Sequence, residues 1–225
     1  MSGRLLAIGD IHGCRDSLLK LLDRFRIDRR DTLVCIGDYL DRGPDPRGVV
    51  ETLLALQKTH PNLICLLGNH EAMFLDYYGS GKDEERFFVN GGLATLHSYG
   101  LTPADARAGV GFPEEHLVFL SSLPLFHETP DYLFVHGGVR PGIPLADQTP
   151  RDLLWIRHEF IDADRPFGKT VVFGHTPQRE PLLAADKIGI DTGAVYGGCL
   201  TGIDLPSRQL FQVSEGDTAR YAGIY

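Results

Sequence analysis

The sequence predicts an α/β fold, on three observations. Its first third repeats a unit of apolar strand, polar turn and amphipathic helix three times. The strands of those units are apolar almost throughout, as strands covered on both faces are. After about residue 125, β character returns in shorter pieces separated by turns, so the second half is mostly β.

The elements follow in order. "RLLAIGD" reads as a strand ending at "IHGC", and "RDSLLKLLDRFRI" has helical spacing with Leu18, Leu22 and Phe25 on one face. "TLVCIGD" ends at "YLDRGPD". The helix "PRGVVETLLALQKTH" follows, with Val50, Leu53, Leu54 and Leu56 as its apolar stripe. "NLICLLGN" ends at "HE", and "AMFLDYYG" is a shorter helix. Strand–helix–strand repetition implies parallel pairing with right-handed crossovers. Residues 80–124 lose this rhythm: "DEERFFVNGGLATLHSYG" and "PEEHLVFLSSL" read as helices with no strand between them, an insertion or cap over one edge of the sheet. The later strands are "LFHE", "YLFVHGG", "TVVFGH", "KIGIDTG", "CLTGIDL" and "RQLFQV". Tight turns between several of them suggest antiparallel pairing. No Gly-, Pro- or Ser-rich linker divides the chain, so one domain is expected over residues 1–225, with a helical insertion at about 80–124. The closing "SEGDTARYAGIY" is expected to fray.

Composition narrows the class. The chain has 225 residues and is 43% apolar, enough for a sizeable core. No apolar run reaches the roughly 18 residues of a membrane span, and the N-terminus enters a strand without a signal-peptide pattern, so a cytoplasmic protein is expected, with no membrane partner. Cys14, Cys35, Cys65 and Cys199 have no CxxC spacing and read as free, structural thiols, Cys14 as a small residue at a helix start. A net charge of −8 argues against a large nucleic-acid surface. The basic residues are 17 arginines and five lysines, and arginine is the better bidentate partner for phosphate.

The chemistry sits at strand ends. "GDIHG" (9–13), "GDYLDRG" (37–43) and "GNHE" (68–71) close the first three strands, and "YLFVHGG" and "TVVFGH" deliver His136 and His175. Ligands of open α/β sheets bind outside the carboxyl ends of the strands. Asp10, His12, Asp38, Asn69, His136 and His175 therefore form a candidate ligand set. Mixed Asp, His and Asn donors suit hard to borderline divalent metals, and the lack of thiolates argues against structural zinc. Six ligands suit two metals if one carboxylate bridges them, an arrangement that clamps both oxygens of an in-line displacement. His60, His97, His116, His127 and His158 fit no strand-end pattern and read as surface or satisfied histidines.

"GDIHG", "GDYLDRG", "GNHE", "HGG" and "GHT", in this order, resemble the metallophosphoesterases, and more narrowly the PPP family of serine/threonine protein phosphatases. "LLWIRHEF", "VVFGHTP" and "IDTGAVYGGCLTGI" are similar to its compact bacterial and bacteriophage members. The resemblance spans residues 5 to about 205 and implies a β-sandwich of mixed sheets flanked by helices. It implies that Asp10, His12 and Asp38 hold one metal, and that Asp38 bridges to a second held by Asn69, His136 and His175. Arg42 and Arg157 would grip the phosphoryl oxygens. His70 would be the general acid, oriented by Asp41. Attack would come directly from a hydroxide held by two divalent ions, without a phosphoenzyme. Manganese is the working expectation for those ions, with iron or zinc admitted by the same donors.

The substrate expected on this resemblance is a phosphorylated protein or small phosphoester, and a monomer is the simplest state. Symmetrical dinucleoside tetraphosphate hydrolases are also similar, "RGPDPRGVVETL" included. Asp41 and Glu71 favour the phosphatase, because the hydrolases usually lack the first and carry aspartate for the second. Chemistry points the same way, since a phosphoanhydride leaving group needs protonation less than an alkoxide does. Tyr196, in the segment that replaces the longer C-terminal groove of eukaryotic members, could face the site. A catalytically dead relative would have lost a ligand, and every expected position is filled.

Overall fold

A computed structural model describes residues 3–164 and 167–214. The closing segment expected to fray therefore lies, Ser214 apart, outside the described residues.

The three opening units form as read. Strand β1 (Leu5–Ile8) leads to α1 (Arg15–Phe25), β2 (Thr32–Cys35) to α2 (Pro46–Thr59), and β3 (Leu63–Cys65) to α3 (Asn69–Tyr77). Helix α2 starts where local chemistry says it should: Asp45 accepts the Gly48 N–H at 2.8 Å as N-cap, and Pro46 takes the first helical position. Its buried face is Val49, Val50, Leu53 and Leu56, while Leu54 is only partly buried. Residues 80–124 hold α4 (Glu84–Val89), α5 (Gly92–Tyr99), α6 (Pro103–Ala108) and α7 (Glu114–Ser121). The single helix expected over 83–100 is two, because Gly91, at φ 95°, breaks the turn between them. Helix α6 was not anticipated; Thr102 caps it by accepting the Asp105 N–H. Of these, α4 packs on α3, α5 on α2, and α7 on both.

The second half supplies β4 (Phe126–Glu128), β5 (Tyr132–Val135), α8 (Pro150–Trp155), α9 (His158–Ile161), β6 (Thr170–Phe173), β7 (Leu182–Leu183), β8 (Lys187–Gly189), β9 (Asp191–Thr192), β10 (Cys199–Asp204) and β11 (Gln209–Val213). Two mixed sheets result. The first has order β11-β10-β1-β2-β3, with β9 paired to β10; β1, β2 and β3 are parallel and β10 is antiparallel to β1. The second has order β4-β5-β6-β8-β7. The antiparallel expectation holds for β4–β5, β7–β8, β9–β10 and β10–β11, but β5, β6 and β8 are parallel. The segment from β5 to β6, which carries α8 and α9, is long enough for the crossover that parallel pairing requires.

The sheets pack face to face. Ala7, Val34, Ile36, Leu66, Phe134, Val172, Ile188 and Ile203 make the core between them. Alternate residues on the same strands point outward. Leu6, Ile8, Leu33 and Cys35 meet α1 and α2, and Leu133, Val135, Val171 and Phe173 meet Leu153 and Phe160. Side chains alternate along a strand. The strands are therefore apolar throughout because one face meets the other sheet and the other meets helices. Full burial of each such leucine or valine contributes about 1.5–3 kcal/mol. Among the described residues no helix is long and apolar enough to cross a membrane.

Candidate metal centre

The carboxyl ends of β1, β2, β3, β5 and β6 open at one end of the sandwich, and the polar residues after them converge. Asp10, His12, Asp38, Asn69, His70, His136 and His175 are all buried. The chain reaches this geometry by turning sharply: His12, Asp38, Asp41, Arg42 and His175 have φ of 44°, 53°, 67°, 66° and 62°. Left-handed backbone costs a residue with a Cβ about 1–3 kcal/mol, and such strain gathers at functional sites. Gly68 makes the close approach possible, since a Cβ there would lie 2.2 Å from Asp38 Oδ1.

Asp38 is the centre. Its Oδ1 lies 3.3 Å from His136 Nε2 and accepts the His70 N–H at 3.1 Å. Its Oδ2 lies 3.4 Å from His12 Nε2 and 3.8 Å from His70 Nε2. The Nδ1 of His12 meets the Leu40 carbonyl at 2.8 Å, and that of His136 meets the Ile36 carbonyl at 3.1 Å. A ring that donates Nδ1–H to a carbonyl carries its lone pair on Nε2. Both Nε2 atoms therefore turn a lone pair toward an anionic carboxylate, an arrangement that a cation between them relieves. Asn69 Oδ1 adds a further acceptor 2.7 Å from His136 Nε2. Among the described residues His175 Nε2, which is buried, has no hydrogen-bond partner, a costly state for a nitrogen that nothing coordinates. Among the described residues two groups of donors are close enough to hold an ion, His12–Asp38–His70 and Asp38–His136–His175, and they share Asp38. The donor chemistry fits two divalent ions bridged by one carboxylate. Asp10 stands beside them, its oxygens accepting the His175 N–H at 3.2 and 3.0 Å.

The electrostatics agree with this reading. Burial opposes ionisation of Asp38, yet His136, His70, His12 and His175 hold its carboxyl below the ordinary range. Burial lowers His12 to about 3 and His175 to about 2, keeping both imidazoles neutral and able to ligate. Burial, with Asp191 and Asp38 close by, raises Asp10.

A second constellation adjoins the first. His70 Nδ1 lies 2.7 Å from Asp41 Oδ2, with Asp41 fully buried. Burial works against the His70 imidazolium, but Asp38 and Asp41 raise its pKa overall. Arg42 Nη1 meets His12 Nε2 at 2.6 Å, and its guanidinium stands 5.5 Å from the ring centre of Tyr196, which is 62% exposed. Arg157 Nη1 donates to the His175 carbonyl at 3.0 Å and to Thr176 Oγ1 at 3.4 Å. The candidate ligands and catalytic residues thus lie close together, but Asp10 stands outside both donor groups and His70 completes the one that His12 and Asp38 form.

Thr95 and Asp191 were not named from sequence, and Glu71 was read only as a guide to the substrate class. Glu71 accepts four backbone N–H groups: Tyr39 at 2.8 Å and Leu40 at 3.0 Å on Oε1, Asp38 at 2.8 Å and Gly68 at 3.0 Å on Oε2. Its carboxylate holds the Asp38 loop instead of facing a substrate, so it is a weaker guide to substrate than the sequence suggests. Thr95 Oγ1 donates to Asp41 Oδ1 at 2.6 Å from the far side of the insertion, with no local signal to reveal it. Asp191 is a buried carboxylate that burial raises to about 6; it ends the strand "KIGI", so the strand-end pattern could have found it.

The comparisons with known proteins agree on the architecture. The family model described as calcineurin-like phosphoesterase matches residues 3–201. A curated relative, serine/threonine-protein phosphatase 1 of Salmonella typhimurium, is 34% identical over 200 residues, covering 86% of this chain and 88% of its own. The asymmetrical bis(5'-nucleosyl)-tetraphosphatase PrpE of Anoxybacillus flavithermus is 25% identical and covers 92% of both chains. A solved structure provisionally described as a diadenosine tetraphosphatase superposes with a TM-score of 0.71 at 28% identity, covering 95% of this chain and 94% of that one. A Saccharomyces cerevisiae protein serine/threonine phosphatase gives 0.66 at 17% identity, covering 97% and 82%, a likeness of fold alone.

Proposed function

Since the chain belongs to the calcineurin-like phosphoesterase family, we propose that this hydrolase is a metal-dependent phosphomonoesterase acting on phosphoserine and phosphothreonine in proteins. The observation that carries the reading is the buried His70–Asp41 pair, 2.7 Å apart. A serine or threonine alkoxide is a poor leaving group, and a positioned acid typically contributes 10²–10⁴-fold to its departure. A phosphoanhydride leaving group needs such an acid less.

Asp10, His12 and Asp38 would hold one divalent ion, and Asp38, Asn69, His136 and His175 the second. When bound, the two ions neutralise phosphoryl charge and lower the pKa of a water. Arg42 and Arg157 present planar guanidiniums that match phosphoryl oxygens in pairs. His70 gives its Nε2 proton to the departing oxygen and keeps Nδ1–H on Asp41. The P–O bond to the side chain breaks and a P–O bond from water forms, giving inorganic phosphate and the free hydroxyl. No phosphorylated enzyme intervenes, so hydrolysis should invert the configuration at phosphorus, and acid quench of a single turnover should trap no phosphoprotein.

A second reading, hydrolysis of dinucleoside tetraphosphates, is supported by the PrpE relatives and by the 28%-identical solved structure. One assay separates them. The protein is stripped with chelator, reloaded with manganese, and given a phosphothreonine peptide and diadenosine tetraphosphate side by side. Preferential phosphate release from the peptide is expected. Preferential cleavage of the dinucleotide would overturn the phosphatase reading while leaving the fold and ligand set intact.

A further inference from the structure

The insertion at 80–124 has no part in the chemistry above, yet its helix α5 meets the acid pair. Thr95 lies in the first turn of α5 and is fully buried. Its hydroxyl donates to Asp41 Oδ1 at 2.6 Å and accepts the Asp41 N–H at 2.9 Å. Asp41 Oδ2 is taken by His70 Nδ1. Both carboxylate oxygens are thus bonded, one to the imidazole and one to the insertion. The next N–H, of Arg42, donates to the Gly91 carbonyl at 3.2 Å. Asp41 and Arg42 are the two consecutive left-handed residues of the loop, and the start of α5 bonds both of their N–H groups. The approach is close enough to require glycine: a Cβ on Gly91, already at φ 95°, would lie 2.8 Å from Arg42 Cγ and 3.1 Å from its N.

We propose that Thr95 is a positioning residue for the His70–Asp41 pair, and that the helical insertion thereby sets how well the leaving group is protonated. The inference rests on the proposed role of His70 as acid. Asp41 orients the imidazole only while its own carboxylate is held from rotating, and Thr95 is what holds it. Without the hydroxyl, a buried carboxylate oxygen and the Asp41 N–H both lose a partner, and the carboxylate is free to turn away from Nδ1. The loss falls on leaving groups that need a proton and spares those that do not.

The test compares Thr95→Val, which keeps shape and loses the hydroxyl, with Thr95→Ser, which does the reverse. Each manganese-loaded variant is assayed on a phosphothreonine peptide and on p-nitrophenyl phosphate, whose leaving group departs as a stable anion. Thr95→Val is expected to lose about 10–100-fold in kcat on the peptide, the range for residues that orient a catalytic group, and no more than about threefold on the aryl ester. Thr95→Ser should restore most of the peptide activity. Equal losses on both substrates, or a serine variant as impaired as valine, would overturn the inference, since packing would then explain the effect. Thr95→Ala replaces the valine variant if circular dichroism shows that valine does not fold. His70→Asn is the control on the premise: selective loss on the peptide upholds the acid. Equal loss there removes the premise and the inference with it, whereas selective loss there without selectivity in Thr95→Val overturns the inference alone.

Discussion

Replacing Glu71 by glutamine tests whether one carboxylate fastens the loop that presents Asp38. Glu71 accepts N–H groups from Asp38, Tyr39, Leu40 and Gly68 at 2.8–3.0 Å. An amide of the same shape offers one acceptor oxygen and one NH₂. It can keep the two bonds on one side, but it sets a donor against the two N–H groups on the other. Each buried N–H left unpaired costs about 1–3 kcal/mol, so E71Q is expected to lose about 2–6 kcal/mol. At roughly 2–4 °C per kcal/mol for a chain of this size, Tm should fall by about 4–24 °C. Burial pushes Glu71 up to about 7, so the comparison belongs at pH 8, where the carboxylate is ionised. Calorimetry on the metal-free protein gives the stability term. A manganese titration of both proteins gives the second, an affinity loss of about 10–100-fold, because three of the four N–H groups belong to the Asp38 loop. If E71Q melts within about 2 °C of the wild type and binds manganese equally well, the carboxylate does not hold the loop and the reasoning fails.

Further perturbations probe other parts of the molecule. Asp38→Asn removes the carboxylate shared by both donor groups, so bound manganese per chain, read by metal analysis after gel filtration, should fall from two, with turnover reduced beyond the roughly 100-fold of an orienting residue. Saturating the chelated protein with manganese at about 100 times Kd should stabilise it by about 2.7 kcal/mol for each ion bound, seen as a rise in Tm of about 5–11 °C per ion; no rise would count against the donor set. Away from the site, Asp31 accepts Arg4 N, Nε and Nη2 and the Asp28 N–H. Burial works against its ionisation, but these partners hold its pKa below the ordinary value. A depressed carboxyl stabilises the fold above its unfolded pKa of about 3.9 and loses that contribution as pH falls through the folded value. Asp31→Asn should therefore lower Tm clearly at pH 7 and much less at pH 3, and an equal drop at both would refute the assignment.

The strand-end motifs and the alternation of strand with helix were legible because they are local. A strand ending in glycine and aspartate presents its carboxylate at the sheet edge in whatever sheet it joins, so Asp10, Asp38, Asn69, His136 and His175 could be named without coordinates. The helices of the first three units were legible for the same reason, through the spacing of their apolar residues. Parallel pairing of β5, β6 and β8 was not, because turn signals report the ends of strands and say nothing of their neighbours. The tertiary structure alone decided what lies opposite what. It aimed Glu71 at the backbone of the Asp38 loop. It brought Thr95 onto Asp41 from 54 positions away, and it left His175 Nε2 buried with nothing to bond among the described residues. Residue type and spacing record which chemistry a chain carries. Direction and partnership across the core come only from the packing of two sheets and their helices, since side chains distant in sequence meet only when the whole chain has folded.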